Sequence, residues 1–450
     1  FRMQTAGHCQ LFLQMEPPPL VQAFSQADNV QSPPAAARPE WMSHIHAAKL
    51  KLCPHLSVEG WCKSGFSSKR SDEFNALAAA VDDPPGAVPR ESCQKLSVQE
   101  FWERYECKQL PCIISGIPNA EMWPAWNEWA FPAFCQRFGD SEFDMGTDDE
   151  TGDPVRCRLD HFDQYMKDQQ DDSPIYVFEE TFDLKKKDLL QAYSVPPYFP
   201  DDFMASAGDD RPHYRWVGIG PRRSGSAMHQ DPLLTSAWNT LLAGKKLWLF
   251  FSPDTPAERA TGNDVQLPHE DDHVEAITYF LDLLPRKLAL RDQRFKPTLC
   301  VQHPGDTVFV PGGWWHCVLN IENSIMVTQN YCGRHNFADV WRRARTERPC
   351  WSNRWLTGMD NFLPELAATA RRLNKEDGID MMALRCMNKK RKQLHQDLRD
   401  RKAARQALAE GTLVGAEWWH ERRRTQEPID SEDTASATSS DDVSTDSESA

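Results

Sequence analysis

Met228-His229-Gln230-Asp231-Pro232 is the stretch on which the reading of this chain turns. In an extended strand, side chains two apart share a face, so His229 and Asp231 point one way and Gln230 the other. An imidazole beside a carboxylate is two thirds of a two-histidine, one-carboxylate facial triad. That arrangement holds non-haem Fe(II) and leaves coordination positions open for co-substrate and oxygen. The candidate third ligand is His316, in Val310-Pro311-Gly312-Gly313-Trp314-Trp315-His316.

His-x-Asp/Glu is a weak pattern alone: 14 His and 66 acidic residues in 450 positions give about two chance occurrences. The chain has five: His161/Asp163, His229/Asp231, His269/Asp271, His273/Glu275 and His395/Asp397. Context separates them. His395 lies in a Lys/Arg-rich helical run, and His161 in the helix-like Leu159 to Met166, where residues two apart diverge around the axis. His269 and His273 fall in a polar stretch with no apolar alternation, which reads as a solvated loop. Only His229 is followed closely by strand-like sequence bearing a cation, Gly244-Lys245-Lys246-Leu247-Trp248-Leu249-Phe250-Phe251, closed by Ser252-Pro253-Asp254. Lys246 shares a face with Trp248 and Phe250. The plain reading is a surface lysine at a strand start. The other is a lysine turned into an apolar interior, which needs an anionic partner because an unpaired buried charge is expensive. The distal carboxylate of 2-oxoglutarate would be such a partner.

Four segments together resemble the Jumonji-C (JmjC) oxygenases: Ser224 to Pro232, Thr235-Ser236-Ala237-Trp238-Asn239, Gly244-Lys245-Lys246, and Pro304 to His316. Within that family they are most similar to the arginine-demethylase and lysyl-hydroxylase subfamily, over a span from about Lys95 to Trp341 that exceeds half the chain. The resemblance implies His229, Asp231 and His316 as iron ligands. It implies Lys246 and Thr328 as the residues that hold 2-oxoglutarate, with Asn239, Asn330 and Tyr176 lining the same pocket. Ser226 stands where the family has threonine, keeping the hydroxyl and losing a methyl. One extra residue falls between Asp231 and His316, most easily placed in the polar Thr261 to Val274 stretch. The implied core is a double-stranded β-helix, the cupin-like jelly roll, in a mainly β fold with flanking helices.

The totals are compatible with this. A length of 450 residues suggests about three domains, and 40% hydrophobic content allows one sizeable core with polar extensions. The net charge of −15 excludes a protein that coats nucleic acid indiscriminately. Thirteen cysteines without a Cys-x-x-Cys pair indicate neither a zinc module nor a regular disulfide framework, and suit reduced thiols in a nuclear or cytosolic setting. No apolar run approaches the roughly 18 residues needed to span a bilayer, so no membrane partner is expected. The start, Phe1-Arg2-Met3 onward, is too short and polar for a secretory signal and reads as an incomplete end.

In chain order, residues 1–91 read as a largely disordered or partly helical extension, with a helix opening on Ser71 or Asp72 as N-cap. Residues 92–213 read as an α/β region packed on the barrel, entered through a capping box at Ser97-Val98-Gln99-Glu100 and followed by a strand at Leu110 to Ile114. Residues 214–345 form the JmjC barrel, dominated by strands from Tyr214 onward, and 346–384 are C-terminal helices. Residues 385–426 are a basic helical segment with nine Lys/Arg against two acids over 385–405. Its Lys389-Lys390-Arg391-Lys392 fits a nuclear-import signal, an RNA contact or a solvated helical face. Residues 427–450 carry eight acids and no base among Ser and Thr, a disordered tail open to phosphorylation.

The expected function is an Fe(II)- and 2-oxoglutarate-dependent, O2-consuming hydroxylase of lysine side chains in Lys/Arg-rich nuclear proteins such as histones or splicing factors. N-methyl-arginine demethylation at the same site is the alternative. A third reading, from another class, is an inactive JmjC scaffold that binds RNA or splicing proteins.

Overall fold

The computed structural model describes residues 39–383 apart from 84–85, 120, 150, 181, 183–185, 266–273 and 290–294. The extension before residue 39, the basic run, the acidic tail, and His269, His273 and His395 lie outside the described residues. Thirteen strands are described: β1 (Arg90–Ser92), β2 (Cys112–Ser115), β3 (Glu142–Thr147), β4 (Pro154–Arg158), β5 (Val177–Glu179), β6 (Arg215–Gly220), β7 (Gly225–His229), β8 (Ser236–Ala243), β9 (Lys246–Phe251), β10 (Thr298–Gln302), β11 (Asp306–Val310), β12 (Trp315–Asn320) and β13 (Ser324–Tyr331). They make a seven-stranded sheet in the order β1-β2-β11-β8-β13-β6-β5, a four-stranded sheet β10-β9-β12-β7, and the separate hairpin β3-β4. Every pairing is antiparallel except β1 with β2.

The alternation along β9 sets the layers. Leu247, Leu249 and Phe251 pack outward with Tyr279, Phe280 and Leu283. Trp248 and Phe250 turn inward, where they meet Ile113, Val308 and Val310 of the seven-stranded sheet and Val318 of β12. The far face of the seven-stranded sheet carries Trp238, Phe309, Val327 and Tyr331, packed against Phe101, Trp123, Phe162 and Phe199. Each of these large side chains contributes roughly 1.5–3 kcal/mol by leaving water. The expected mixture of β core and flanking helices is present; what is observed is three sheets rather than a demonstrated closed barrel.

Strands dominate from Tyr214 to Tyr331, with helical segments between them, the longest between β9 and β10. Ala276–Thr278, Tyr279–Leu283 and Leu284–Ala289 form consecutive helical turns between β9 and β10. Nine residues from Ala276 to Leu284 outrun an ordinary buried strand, and their apolar face covers the four-stranded sheet instead of joining it. One departure is at Ser71, which is the first residue of the helix Ser71–Ala80 rather than its cap. Arg70 precedes it and pairs with Glu73 and Asp282, both at about 2.5–3.1 Å. The capping box at Ser97 is present in full: its hydroxyl accepts from the Glu100 amide, and the Glu100 carboxylate accepts from the Ser97 amide.

Lys246 owes its place to the turn before it. Gly244 has φ +87, and a Cβ there would sit 2.2 Å from the Asn323 carbonyl oxygen. Gly244→Ala is therefore expected to destabilise the fold by at least about 1–3 kcal/mol, the cost of a strained backbone position, with more from the clash. A drop in the urea midpoint at unchanged m-value checks it.

The chain divides into two compact units. One holds the described residues up to Phe203 together with His213–Phe337; the other holds Met204–Pro212 and the described residues from Ala338 on. In the second, the helices Pro349–Phe362 and Pro364–Glu376 pack through Trp351, Trp355, Met359, Ala367, Ala370 and Leu373. Among the described residues no helix is long and apolar enough to cross a membrane.

Candidate metal centre

Strand register brings the candidate ligands together. β12 lies between β9 and β7, and His316 is paired with Phe250 on one side and His229 on the other. The two imidazole centroids are 4.2 Å apart. Asp231 follows β7 by two residues, and its Oδ1 lies 3.9 Å from Nε2 of each histidine. Backbone carbonyls fix both rings: His229 Nδ1 donates to the Ala227 oxygen at 2.8 Å, and His316 Nδ1 to the Trp314 oxygen at 3.0 Å. A carbonyl can only accept, so each Nδ1 carries the proton and each Nε2 keeps a free lone pair on the Asp231 side. Burial, and secondarily His229, push His316 down to about 4 against the opposing pull of Asp231, so the ring is neutral at ordinary pH.

Asp231 supplies a direct test of whether a cation fits. With the side chain 12% exposed, its Oδ2 is buried and has no hydrogen-bond partner among the described residues. A carboxylate oxygen out of water and unpartnered is costly in a protein that never binds metal. Two neutral imidazoles and one carboxylate are also the donor set that non-haem iron takes. The residues fit a divalent metal.

Lys246 lies on the same four-stranded sheet, opposite Asn320 of β12 and Gln302 of β10. It is 1% exposed, and its ammonium meets the Tyr176 hydroxyl at 2.6 Å. Among the described residues no carboxylate reaches it. Burial alone pushes its pKa down to about 7, while burial raises that of Tyr176 in spite of a hydrogen bond with Asn320. An interior lysine lacking an internal anion fits an anionic guest.

Thr328, Asn239 and Asn330 lie on the inward face of the seven-stranded sheet, and Ser226 on β7 of the four-stranded one. Thr328 is opposite Asn239, and its hydroxyl donates to the Trp238 carbonyl at 2.9 Å. Asn239 accepts from Gln302 at 3.3 Å and faces the Met326 sulfur at 3.4 Å. Asn330 lies further along, its amide donating to Thr235 Oγ1 at 2.9 Å. Ser226 is paired with Val318 on β7. The structure thus joins Lys246 directly to Tyr176, whereas the amides of Asn239 and Asn330 are already engaged within the protein.

Three contributors escaped the sequence reading. Asn320 holds Ser224 and Ser324 at 2.9 Å each and stands beside Lys246. Its signal is the alternation His316, Val318, Asn320 along one face. Gln302 takes the Trp248 indole N–H at 2.8 Å. Gln230, pointing away from the ligands, donates to the Gly313 carbonyl at 2.6 Å and ties the two ligand-bearing segments together.

Gly220 keeps open the space that Tyr176 and Asn320 use. A Cβ there would fall 2.2 Å from Asn320 Nδ2 and 2.8 Å from Tyr176 Cε2. Gly220→Ala should displace the Tyr176–Lys246 pair and lower kcat/KM for co-substrate by up to about 100-fold, the scale of an ångström-sized misplacement.

Residues 216–331 match the JmjC domain, described as a hydroxylase domain. The chain belongs to the JmjC family of Fe(II)- and 2-oxoglutarate-dependent oxygenases. Over 334 residues it is 36% identical to the bifunctional arginine demethylase and lysyl-hydroxylase psr-1 of Caenorhabditis elegans, covering 73% of this chain and 80% of that one. It is also 35% identical over 271 residues to the arginine-specific demethylase JMJ22 of Arabidopsis thaliana, covering 59% of this chain and 51% of that protein. The human 2-oxoglutarate and iron-dependent oxygenase JMJD4 is 24% identical over 270 residues, covering 56% of this chain and 63% of that one.

Proposed function

We propose that this oxygenase hydroxylates lysine side chains of Lys/Arg-rich nuclear proteins, with His229, Asp231 and His316 holding Fe(II) and Lys246 anchoring the distal carboxylate of 2-oxoglutarate. The observation that carries the reading is Lys246, buried on the same sheet as the two histidines and, among the described residues, meeting the Tyr176 hydroxyl and no carboxylate. The inward faces of the two main sheets suit the double-stranded β-helix, with Thr328, Asn239, Asn330 and Ser226 as pocket walls.

Bound iron supplies the oxidative decarboxylation of 2-oxoglutarate to succinate and carbon dioxide, with one oxygen atom of O2 entering succinate and the other a substrate C–H bond. The chain's own part is placement. The carbonyls of Ala227 and Trp314 hold the imidazoles in the ligating tautomer. Trp248, Phe250 and Val318 keep the interior dry, which strengthens the attraction of the Lys246 ammonium for a carboxylate. Tyr176, as acceptor from Lys246, can donate its own proton to that carboxylate.

A cationic substrate side chain is supported by Glu180. The Trp216 indole, on β6 opposite Thr328, donates to its carboxylate at 3.3 Å, and the side chain remains 34% exposed. The bifunctional relative favours carrying demethylation of methyl-arginine as a second reading, because hydroxylation of an N-methyl group releases formaldehyde from the same site. Incubation with Lys-rich and methyl-Arg peptides, followed by succinate assay and mass spectrometry, tests both. A gain of one oxygen on lysine is the expected result; loss of methyl from arginine with unmodified lysine would replace it with the second reading. Iron binding without peptide-stimulated turnover would leave the scaffold.

A further inference from the structure

A second group of metal-ligating side chains stands apart from the catalytic centre. Glu40 and His44 are one turn apart on the helix Glu40–Leu52 and so share a face. His161, 117 positions further on than His44, comes from the first turn of the helix Leu159–Asp168. His44 Nδ1 and His161 Nδ1 are 2.8 Å apart, and His44 Nε2 is 3.9 Å from the Glu40 carboxylate. One ligand atom from each residue lies within 4.8 Å of the other two.

We propose that Glu40, His44 and His161 form a second metal site, which takes Zn2+ and clamps the helix Glu40–Leu52 to the helix Leu159–Asp168.

The donor set is two imidazoles and one carboxylate, with the fourth tetrahedral position open to water, and imidazole ligation suits zinc. Zinc holds nitrogen and oxygen at about 2.0–2.2 Å, so its ligand atoms stand roughly 3.3 Å apart. Against spacings within 4.8 Å, that calls for shifts of up to about 1.5 Å. The side chains are free to make them, being 51% exposed at His44 and 78% at Glu40. Two imidazoles meeting nitrogen to nitrogen can share a proton or a cation, and the adjacent carboxylate favours the cation. Arg158, which interacts with Glu40 through its charge, is tied to Asp160 and Asp140 at 2.5 and 2.7 Å.

Position gives the site a task. Further along the two helices, Ile45 and Ala48 pack in the core that includes Phe162 and Tyr165, and Lys49 pairs with Asp171 at 2.5 Å. At the exposed end the facing imidazoles, with ring centroids 4.8 Å apart, join the helices. A bound ion there closes the end that apolar packing leaves open.

The test is zinc stoichiometry by equilibrium dialysis of the full chain and its variants. Wild type should bind one more Zn2+ than His44→Ala or His161→Gln, and the same difference should persist in an Asp231→Ala background, which silences the catalytic triad. In that background Zn2+ should also raise the Tm by several degrees and slow amide exchange in 40–52 and 159–168; His44→Ala should abolish both effects. Equal stoichiometry in wild type and both histidine variants would overturn the proposal, leaving a hydrogen-bonded imidazole pair. So would a zinc-induced Tm rise that survives His44→Ala. Neither outcome bears on catalysis at His229, Asp231 and His316.

Discussion

An Asp231→Ala chain is expected to lose 2-oxoglutarate turnover by more than about 100-fold, the upper figure for mutating mere outer-sphere partners of a metal, while its metal-free form becomes more stable. The two effects have one source. Asp231 is the anionic member of the triad, placed 3.9 Å from both Nε2 atoms, and without it two neutral imidazoles hold a divalent ion weakly. In the metal-free chain the same carboxylate carries a buried Oδ2 with no partner among the described residues, a deficit worth about 1–3 kcal/mol that alanine removes. Metal binding reverses the order: at a hundred times Kd a ligand stabilises its protein by about 2.7 kcal/mol, and only wild type receives that at the catalytic centre. Thermal melts with and without Fe(II) under anaerobic conditions measure both terms. A variant that keeps a few per cent of wild-type turnover would remove Asp231 from the ligand set.

Lys246→Met carries the second large effect. The variant keeps a chain of similar length and deletes the charge, so the affinity for 2-oxoglutarate should fall about 10²- to 10⁴-fold, corresponding to the roughly 3–5 kcal/mol lost when one member of a buried charge pair is removed. The metal-free protein should again gain. Burial pushes Lys246 down to about 7, below the ordinary lysine value of about 10.4, so between these pH values the unfolded chain binds the proton that the folded one lacks. Stability then rises with pH across that window. The wild-type chain should gain about 2 kcal/mol from pH 7 to 9 through this residue, and Lys246→Met should lack that slope. At pH 8 most folded molecules hold the amine neutral, so binding the dicarboxylate should draw a proton from buffer. Calorimetry in buffers of different ionisation enthalpy reads that uptake; its absence in wild type would show that Lys246 does not meet a carboxylate.

These effects trace back to residues of unequal visibility in the sequence. His229 and Asp231 are two apart on an extended segment, so local geometry alone gives them a common face. Lys246, Trp248 and Phe250 repeat the same period, and the structure places the two aromatic rings inward together. His316 stands out in the sequence because its Gly312-Gly313 turn resembles a family, not because spacing from His229 requires it; the register of β12 against β7 settles their approach. The segment Ala276 to Leu284 is not legible, since an apolar run does not by itself declare whether it will join a sheet or cover one. His161 misleads: its pairing with Asp163 fails on a helix, and its actual neighbours, His44 and Glu40, come from a helix more than a hundred residues earlier.

The sequence by itself determined that His229 and Asp231 share a face, because the two-residue period of a strand is a local property; the third ligand, and with it the type of centre, was legible only through the resemblance to a family. It also determined the outward and inward faces of β9, which follow from alternation alone. Only the tertiary structure decided that, among the described residues, Lys246 would meet a hydroxyl and no carboxylate and Asp231 would keep an unpartnered oxygen, and that two helices would bring Glu40, His44 and His161 within reach of one ion. Those are statements about what stands opposite a side chain, and pairing between distant segments is fixed by the packing of whole sheets and helices, to which no short stretch of chain has access.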